Sequence, residues 1–81
     1  MFFAAGALVC ASVLPFEARF YQCDRVGRVV NFSSIDVGPN DEPRRYYVKF
    51  RGCNTDYAAT EWMVYVDANF LTEIHSSKEC Q

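Results

Sequence analysis

The segment Phe20-Tyr21-Gln22-Cys23 directly follows an apolar leader and contains a cysteine. A second cysteine lies in Lys78-Glu79-Cys80-Gln81, at the other end of the chain. A cysteine after the leader and a second one beside the C-terminus favour a disulfide between Cys23 and Cys80. In the chain-entropy model, closing a loop of that length stabilises the folded state by about 4 kcal/mol. The segment between the two cysteines is therefore expected to form short strands inside a covalent ring.

The first 18 residues are expected to be a signal peptide. The segment 2–16 is apolar apart from Ser12 and is too short for a membrane span, and the small residue Ala18 marks a suitable cleavage point. The alternative is a buried N-terminal helix or strand, which would normally show a polar face, and this segment shows none. The sequence thus predicts a single small secreted domain over residues 19–81, with no membrane association after cleavage. A domain of that size usually needs a covalent staple.

The cysteine count leaves one thiol over. Cys10 lies in the predicted leader, so Cys23, Cys53 and Cys80 remain in the mature domain. Pairing Cys23 with Cys80 leaves Cys53 free, although a bond from Cys53 to either partner stays open. A zinc site made by these cysteines and His75 would lack the close Cys-x-x-Cys spacing typical of such sites. We therefore expect no metal and no cofactor.

The pattern of apolar residues predicts an α+β domain that is mostly antiparallel β, with at most one short helix. Strands are expected at 19–23, 28–32, 44–51 and 62–66, and a turn at 24–27. A helix that begins at Ser33 would end at the loop 38–43, which is rich in glycine and proline. The segment 70–75 is expected to form a hairpin with 62–66 through a turn at 67–69.

These motifs resemble the fungal guanyl-specific ribonucleases, and even more the small secreted powdery-mildew effectors that are built on that ribonuclease-like fold. The likeness rests on the Tyr-x-Cys motif at 21–23, the near-terminal Cys80, and the segments 45–50, 63–67 and 71–76. The resemblance implies a bond between Cys23 and Cys80 and a helix packed on an antiparallel sheet. It also implies a protein that promotes infection and is secreted, with translocation into the host cell as a further expectation.

The resemblance also addresses catalysis. It places the acid histidine of the family at His75 and its second histidine at Val48, which cannot move a proton. Glu61 could act as the base only if the domain is active, and one acid without a placed base forfeits a factor of about 10² to 10⁴. The sequence therefore predicts a catalytically inactive relative. The alternatives are an active guanyl-preferring secreted ribonuclease and an unrelated disulfide-stabilised β-sandwich effector or toxin.

The net charge of −2 gives no overall nucleic-acid signature, so any such signal must be local. The predicted strand 44–51, which is rich in arginine and lysine, is a better candidate for function than the catalytic residues. Alternation along this strand places four side chains on one face: Arg45, Tyr47, Lys49 and Arg51. Cations bind phosphates, and a tyrosine stacks on a base or fits a protein interface, so the expected partner is host RNA or a host protein. The alternative is a solvated face whose cations protect an edge strand. We expect a monomer.

Overall fold

The computed structural model describes residues 2–12, 22–35, 37–52 and 61–80, and for residues 22–24, 51–52 and 61–62 it describes the backbone alone. Five strands form one antiparallel sheet: β1 (Leu8–Ala11), β2 (Gln22–Phe32), β3 (Arg45–Gly52), β4 (Glu61–Asp67) and β5 (Leu71–Glu73). The described helical segments are three 3₁₀ turns: Pro39–Asp41, Ala68–Phe70 and Ser77–Glu79. The predicted antiparallel β sheet is therefore confirmed. Residues 33–35, where a helix was predicted to begin, are not helical.

The strand order β4-β3-β2-β1-β5 makes the sheet curl. Strands β4 and β5 lie at opposite edges, yet in the sequence only the turn Ala68–Phe70 separates them. A flat sheet cannot satisfy both conditions, so the two edges must approach each other at this turn, as in a partly closed barrel. Backbone bonds fix the approach, since the Ser12 N–H donates to the Phe70 carbonyl (2.8 Å) and the Ala68 N–H to that of Arg44 (2.7 Å).

The predicted hairpin between 62–66 and 70–75 is wrong. β5 pairs with β1, placing Thr72 opposite Cys10 and Leu71 opposite Ala11. The turn explains the difference, because the Asp67 carboxylate accepts a hydrogen bond from the Asn69 N–H (2.9 Å) and caps a 3₁₀ turn. That turn directs the chain away from β4 and towards β1. The residues of β1, Leu8–Ala11, were predicted to belong to the signal peptide.

The turn predicted at 24–27 is also wrong, because β2 continues through these residues. Irregularities in its pairing with β3, between Gln22 and Gly27 and between Val29 and Asn31, accommodate the extra residues. Such bulges bend a strand and increase its twist. The bends thus help β2 to follow the curved sheet without a break in the chain.

The core lies on the concave side of the sheet. Among the residues whose side chains are described, it consists of ten buried apolar residues: Phe3, Val9, Ala11, Val29, Tyr46, Val48, Phe50, Val66, Leu71 and Ile74. Alternation in β3 was predicted correctly, since Tyr46, Val48 and Phe50 all face inward. Phe3 packs edge-on against Tyr46, with ring centroids 5.0 Å apart, and its backbone N–H donates to the Tyr46 hydroxyl (3.1 Å). The N-terminal segment is therefore part of the core in this fold.

A disulfide joins Cys10 to Cys80, with a Cα–Cα distance of 5.5 Å. The preferred pairing of Cys23 with Cys80 is wrong in this fold, since Cys80 already has a partner. The reason is that Cys10 lies in β1 beside β5, and the turn Ser77–Glu79 brings the C-terminal cysteine back to that strand. The covalent closure by Cys80 was predicted, but with the other cysteine.

The predicted cleavage point after Ala18 lies outside the described residues and stays a prediction. A chain cut there would lack β1 and one half of the disulfide. Across the described ranges, no helix combines the length and apolar character that crossing a bilayer requires.

Candidate nucleic-acid interface on the outer face

The convex side of strands β2, β3 and β4 carries the predicted basic residues. We call it the outer face and define it by seven side chains: Arg28, Asn31, Arg45, Tyr47, Lys49, Met63 and Tyr65. The register arranges most of them in two rows across the strands. One row is Arg28–Lys49–Met63, and the other is Asn31–Tyr47–Tyr65. Residues opposite each other in antiparallel strands point to the same side, so the members of each row are neighbours.

Tyr47 and Tyr65 form a ring pair at the centre of this face. Their ring centroids are 4.8 Å apart and the ring planes are inclined by 41°. Tyr47 is half-buried, whereas Tyr65 is 52% exposed. Cross-strand aromatic pairs of this kind contribute roughly 0.2–1 kcal/mol to the sheet. The pair is therefore held in place by the strands while much of Tyr65 remains accessible to a ligand.

Cationic side chains lie in the rows beside the tyrosine pair. Arg28 is exposed and donates from Nη1 to the Gly6 carbonyl (3.1 Å), which fixes the guanidinium over the start of β1. Arg45 is exposed and Lys49 is half-buried. Arg51 lies on the same strand opposite Glu61, and its side chain is outside the described part of the structure. Of the predicted set on β3, the side chains of Arg45, Tyr47 and Lys49 are described and that of Arg51 is not. Arg28 adds a cation from β2.

Apolar groups are also exposed on or beside the outer face. Met63 is 48% exposed and lies opposite Lys49, and Val30, in the bulge of β2, is 43% exposed. Four members of the face were not predicted from the sequence: Arg28, Asn31, Met63 and Tyr65. Alternation along 62–66 puts Met63 and Tyr65 on one side, so this signal could have found two of them.

The two candidate catalytic residues belong to opposite edges of the sheet. Glu61 is the first residue of β4, and its side chain is not described. His75 follows β5 and is exposed, and its backbone N–H donates to a Glu79 carboxylate oxygen (2.7 Å). In the sheet order, β3, β2 and β1 separate the strands that lead to these residues. The pairing of strands does not make the two residues neighbours.

A cleft of about 570 Å³ lies between the loop before β3 and the turn before β5. Its lining includes Phe3, Pro39, Glu42, Arg44, Asp67 and Asn69. The adjoining loop contains two left-handed residues, Asn40 (φ 64°) and Asp41 (φ 60°). Asparagine and aspartate adopt this conformation more readily than most residues, so a tight turn accounts for it. Within the described ranges, no three histidine, cysteine, aspartate or glutamate side chains form a group able to hold a metal ion.

Comparison with protein-family models, with curated proteins and with solved structures finds no match for this chain. The resemblance to ribonuclease-like effectors therefore rests on the sequence motifs alone. The ribonuclease-like arrangement, secretion and the effector role stay predictions.

Proposed function

We propose that this chain is a binding domain without catalytic turnover, whose outer face holds single-stranded RNA. The observation that carries the proposal is the pair Tyr47–Tyr65, with Tyr65 half exposed and Arg28 and Lys49 in the neighbouring row. Sheet surfaces with exposed aromatic rings bind unpaired bases by stacking, and cations beside them bind the phosphates. The outer face supplies both kinds of group within three adjacent strands.

The distribution of charge supports this proposal. The chain as a whole carries a net charge of −2, yet the two central rows of the outer face contain two cations, Arg28 and Lys49, and no carboxylate. Asp67 and Glu61 lie at the two ends of β4, opposite Arg45 and Arg51. The centre of the face, around the tyrosine pair and Lys49, is therefore the part best suited to a phosphate backbone.

Two features support binding without turnover. Cleavage of RNA at the 2′-hydroxyl needs a base and an acid that both reach the reacting atoms. Glu61 begins β4, at the end of that strand far from the turn 68–70, whereas the exposed His75 lies beyond this turn and beyond β5. Four antiparallel pairings make β4 and β5 run in the same direction, so the two residues are separated along the strands. Val48, which stands where the resemblance would place a second histidine, is fully buried. The active ribonuclease is thus the weaker alternative.

The setting that we propose for this binding is that of a secreted effector of a fungal pathogen, with host RNA as its ligand. This part rests on the Tyr-x-Cys motif and its companion motifs in the sequence, and not on the bond between Cys23 and Cys80 that the resemblance implied, since Cys80 is bonded to Cys10. The same outer face also favours a second candidate function, the binding of a host protein. Exposed Met63 and Val30 support it, because methionine, tyrosine and arginine are enriched at the centres of protein interfaces.

Fluorescence anisotropy with an end-labelled, single-stranded RNA of about 12 nucleotides tests the proposal. We expect binding that weakens as salt rises, and a loss of about 5- to 150-fold in affinity for Tyr65→Ala, since stacking of one base is worth about 1–3 kcal/mol. Thr72→Ala on β5 is the matched control and should bind as the parent does. The RNA recovered after incubation should be intact on a denaturing gel.

Two results would overturn the RNA assignment. One is the absence of binding at low salt, and the other is an unchanged affinity in Tyr65→Ala. Cleavage of the RNA that His75→Ala abolishes would instead establish the ribonuclease alternative.

A further inference from the structure

The outer face meets the N-terminal segment at Arg28. The register places this residue opposite Leu8 of β1 on one side and opposite Lys49 of β3 on the other. The arginine is exposed, and its Nη1 group donates a hydrogen bond to the Gly6 carbonyl (3.1 Å). Arg28 therefore joins the turn before β1 to the rows that contain the tyrosine pair.

A tight turn over residues 4–7 holds the Gly6 carbonyl in place. The Ala7 N–H donates to the Ala4 carbonyl (3.0 Å), and Gly6 has a left-handed φ of 88°. This matches a type II turn, which favours glycine or asparagine at its third position. Two backbone bonds tie the turn to β2, since the Gly6 N–H donates to the Val29 carbonyl (2.7 Å) and the Val29 N–H to that of Ala7 (2.9 Å). The acceptor is thus fixed to the strand that carries the arginine.

We infer that the turn 4–7 is a positioning element of the RNA site, in which the Gly6 carbonyl orients the Arg28 guanidinium to bind one RNA phosphate through two hydrogen bonds. The inference rests on the proposed RNA binding and names the group that fixes the phosphate. A guanidinium has five N–H donors in one plane, and the bond from Nη1 does not use the parallel pair on Nε and Nη2. Such a pair matches two oxygens of one phosphate. Anchoring the side chain beforehand reduces the entropy that binding costs.

The two cations of this row then have different roles. Lys49 is a point charge on a flexible stem, so it attracts the RNA backbone without fixing its position. Arg28 has a planar fork that binds a phosphate in one orientation. The tyrosine row lies two residues further along β3, which is about 7 Å away. A phosphate fixed at Arg28 therefore places a neighbouring base over the pair Tyr47–Tyr65.

Fluorescence anisotropy with the labelled RNA of about 12 nucleotides tests the inference through a variant that keeps the charge. Arg28→Lys should lower the affinity about 5- to 30-fold, because lysine lacks the planar fork. The slope of log K against log salt should not change, since the number of cations is the same. Arg28→Ala should weaken binding at least as much and also reduce the slope by about 0.7. Arg44→Lys, beside the cleft, is the matched control and should bind as the parent does.

The same assay tests the turn. Gly6→Val should lower the affinity by a similar factor with an unchanged slope, because a β-branched residue disfavours the left-handed conformation and displaces the carbonyl. Gly6→Asn keeps the turn and should bind as the parent does. No described atom outside the adjacent residues lies within 4 Å of a Cβ atom placed at Gly6, so both side chains have room. Circular dichroism checks that the variants fold. In the Arg28→Lys background, Gly6→Val should have no further effect, since the turn acts through Arg28.

Two results would overturn the inference alone. If Arg28→Lys binds as tightly as a parent whose binding depends on Tyr65, Arg28 acts through its charge and not through its geometry. If the losses from Gly6→Val and Arg28→Lys add in the double variant, the turn does not act through Arg28. Absence of RNA binding by the parent would overturn the proposed function and this inference together, so the two failures are distinguishable.

Discussion

Cys10 in β1 is bonded to Cys80, which lies 70 residues further along the chain. β1 lies between β2 and β5 in the sheet, and its residues Val9 and Ala11 are fully buried. The bond therefore ties the C-terminal turn to a central strand rather than to a free end. It also holds β1 beside β5, whose three residues alone make a short ladder.

Removing this bond should lower the stability of the fold. We expect Cys10→Ser combined with Cys80→Ser to lower the free energy of unfolding by about 4 kcal/mol, as the chain-entropy model gives for a loop of this length. Urea denaturation followed by circular dichroism measures the change. Peptide mapping of the parent protein is the control. A Cys80 peptide linked to Cys23 would contradict the structure.

The contact between the N-terminal segment and the sheet gives a second prediction. Tyr46→Phe removes the hydroxyl that accepts the Phe3 N–H and leaves a buried donor without its acceptor. Such a loss costs about 1–3 kcal/mol. Tyr65→Phe, at an exposed site, is the matched control and should change the unfolding free energy by less than about 0.5 kcal/mol. Equal effects in the two variants would show that the segment 2–12 does not pack as described.

The close approach of β2 and β3 at Gly27 gives a third prediction. A Cβ atom there would lie 2.6 Å from Val48 Cγ1 and 2.9 Å from the Lys49 carbonyl oxygen. Gly27→Ala should therefore destabilise the protein by about 1–3 kcal/mol, as overpacking does. At Gly38 the nearest atoms belong to the Arg44 side chain at 3.3 Å, which can move. Gly38→Ala should thus cost clearly less in the same thermal or urea denaturation.

The salt dependence of RNA binding gives a fourth prediction. Replacing one phosphate-binding cation reduces the slope of log K against log salt by about 0.7 for a single strand. Lys49→Ala should show this reduction and should weaken binding to all sequences about equally. Lys78→Ala, at an exposed site in the C-terminal turn, should leave the slope unchanged. A parent slope close to zero would favour a protein ligand at this face.

Much of the β structure follows from local patterns. Alternation from Arg45 to Phe50 correctly predicted which side chains of β3 are buried, because one face of a curved sheet must cover the core. The β-branched and aromatic run of β4 was equally clear. The basic residues of the candidate site were found for the same reason, as they alternate with the buried ones.

The errors concern pairing over long distances and the role of the N-terminal segment. Residues 8–11 read as part of an apolar leader, since a strand buried in a sheet shows no polar face and alternation cannot identify it. Once this strand was removed, Cys23 became the preferred partner of Cys80, with Cys53 left open, and β5 was assigned to β4. Both assignments changed when β1 supplied Cys10 and an open edge. The sequence of residues 71–73 contains no local signal that would favour pairing of β5 with β1 over pairing with β4.

Mapping the RNA contact by nuclear magnetic resonance tests the central claim most directly. Uniformly ¹⁵N-labelled protein would be titrated with an unlabelled single-stranded RNA of about 12 nucleotides. The account predicts that the largest amide shift changes cluster on β3 and β4 around Tyr47, Lys49 and Tyr65, while β5 and the cleft near Asn69 change little. Shift changes centred on the cleft or on His75, or none at saturating RNA, would contradict it.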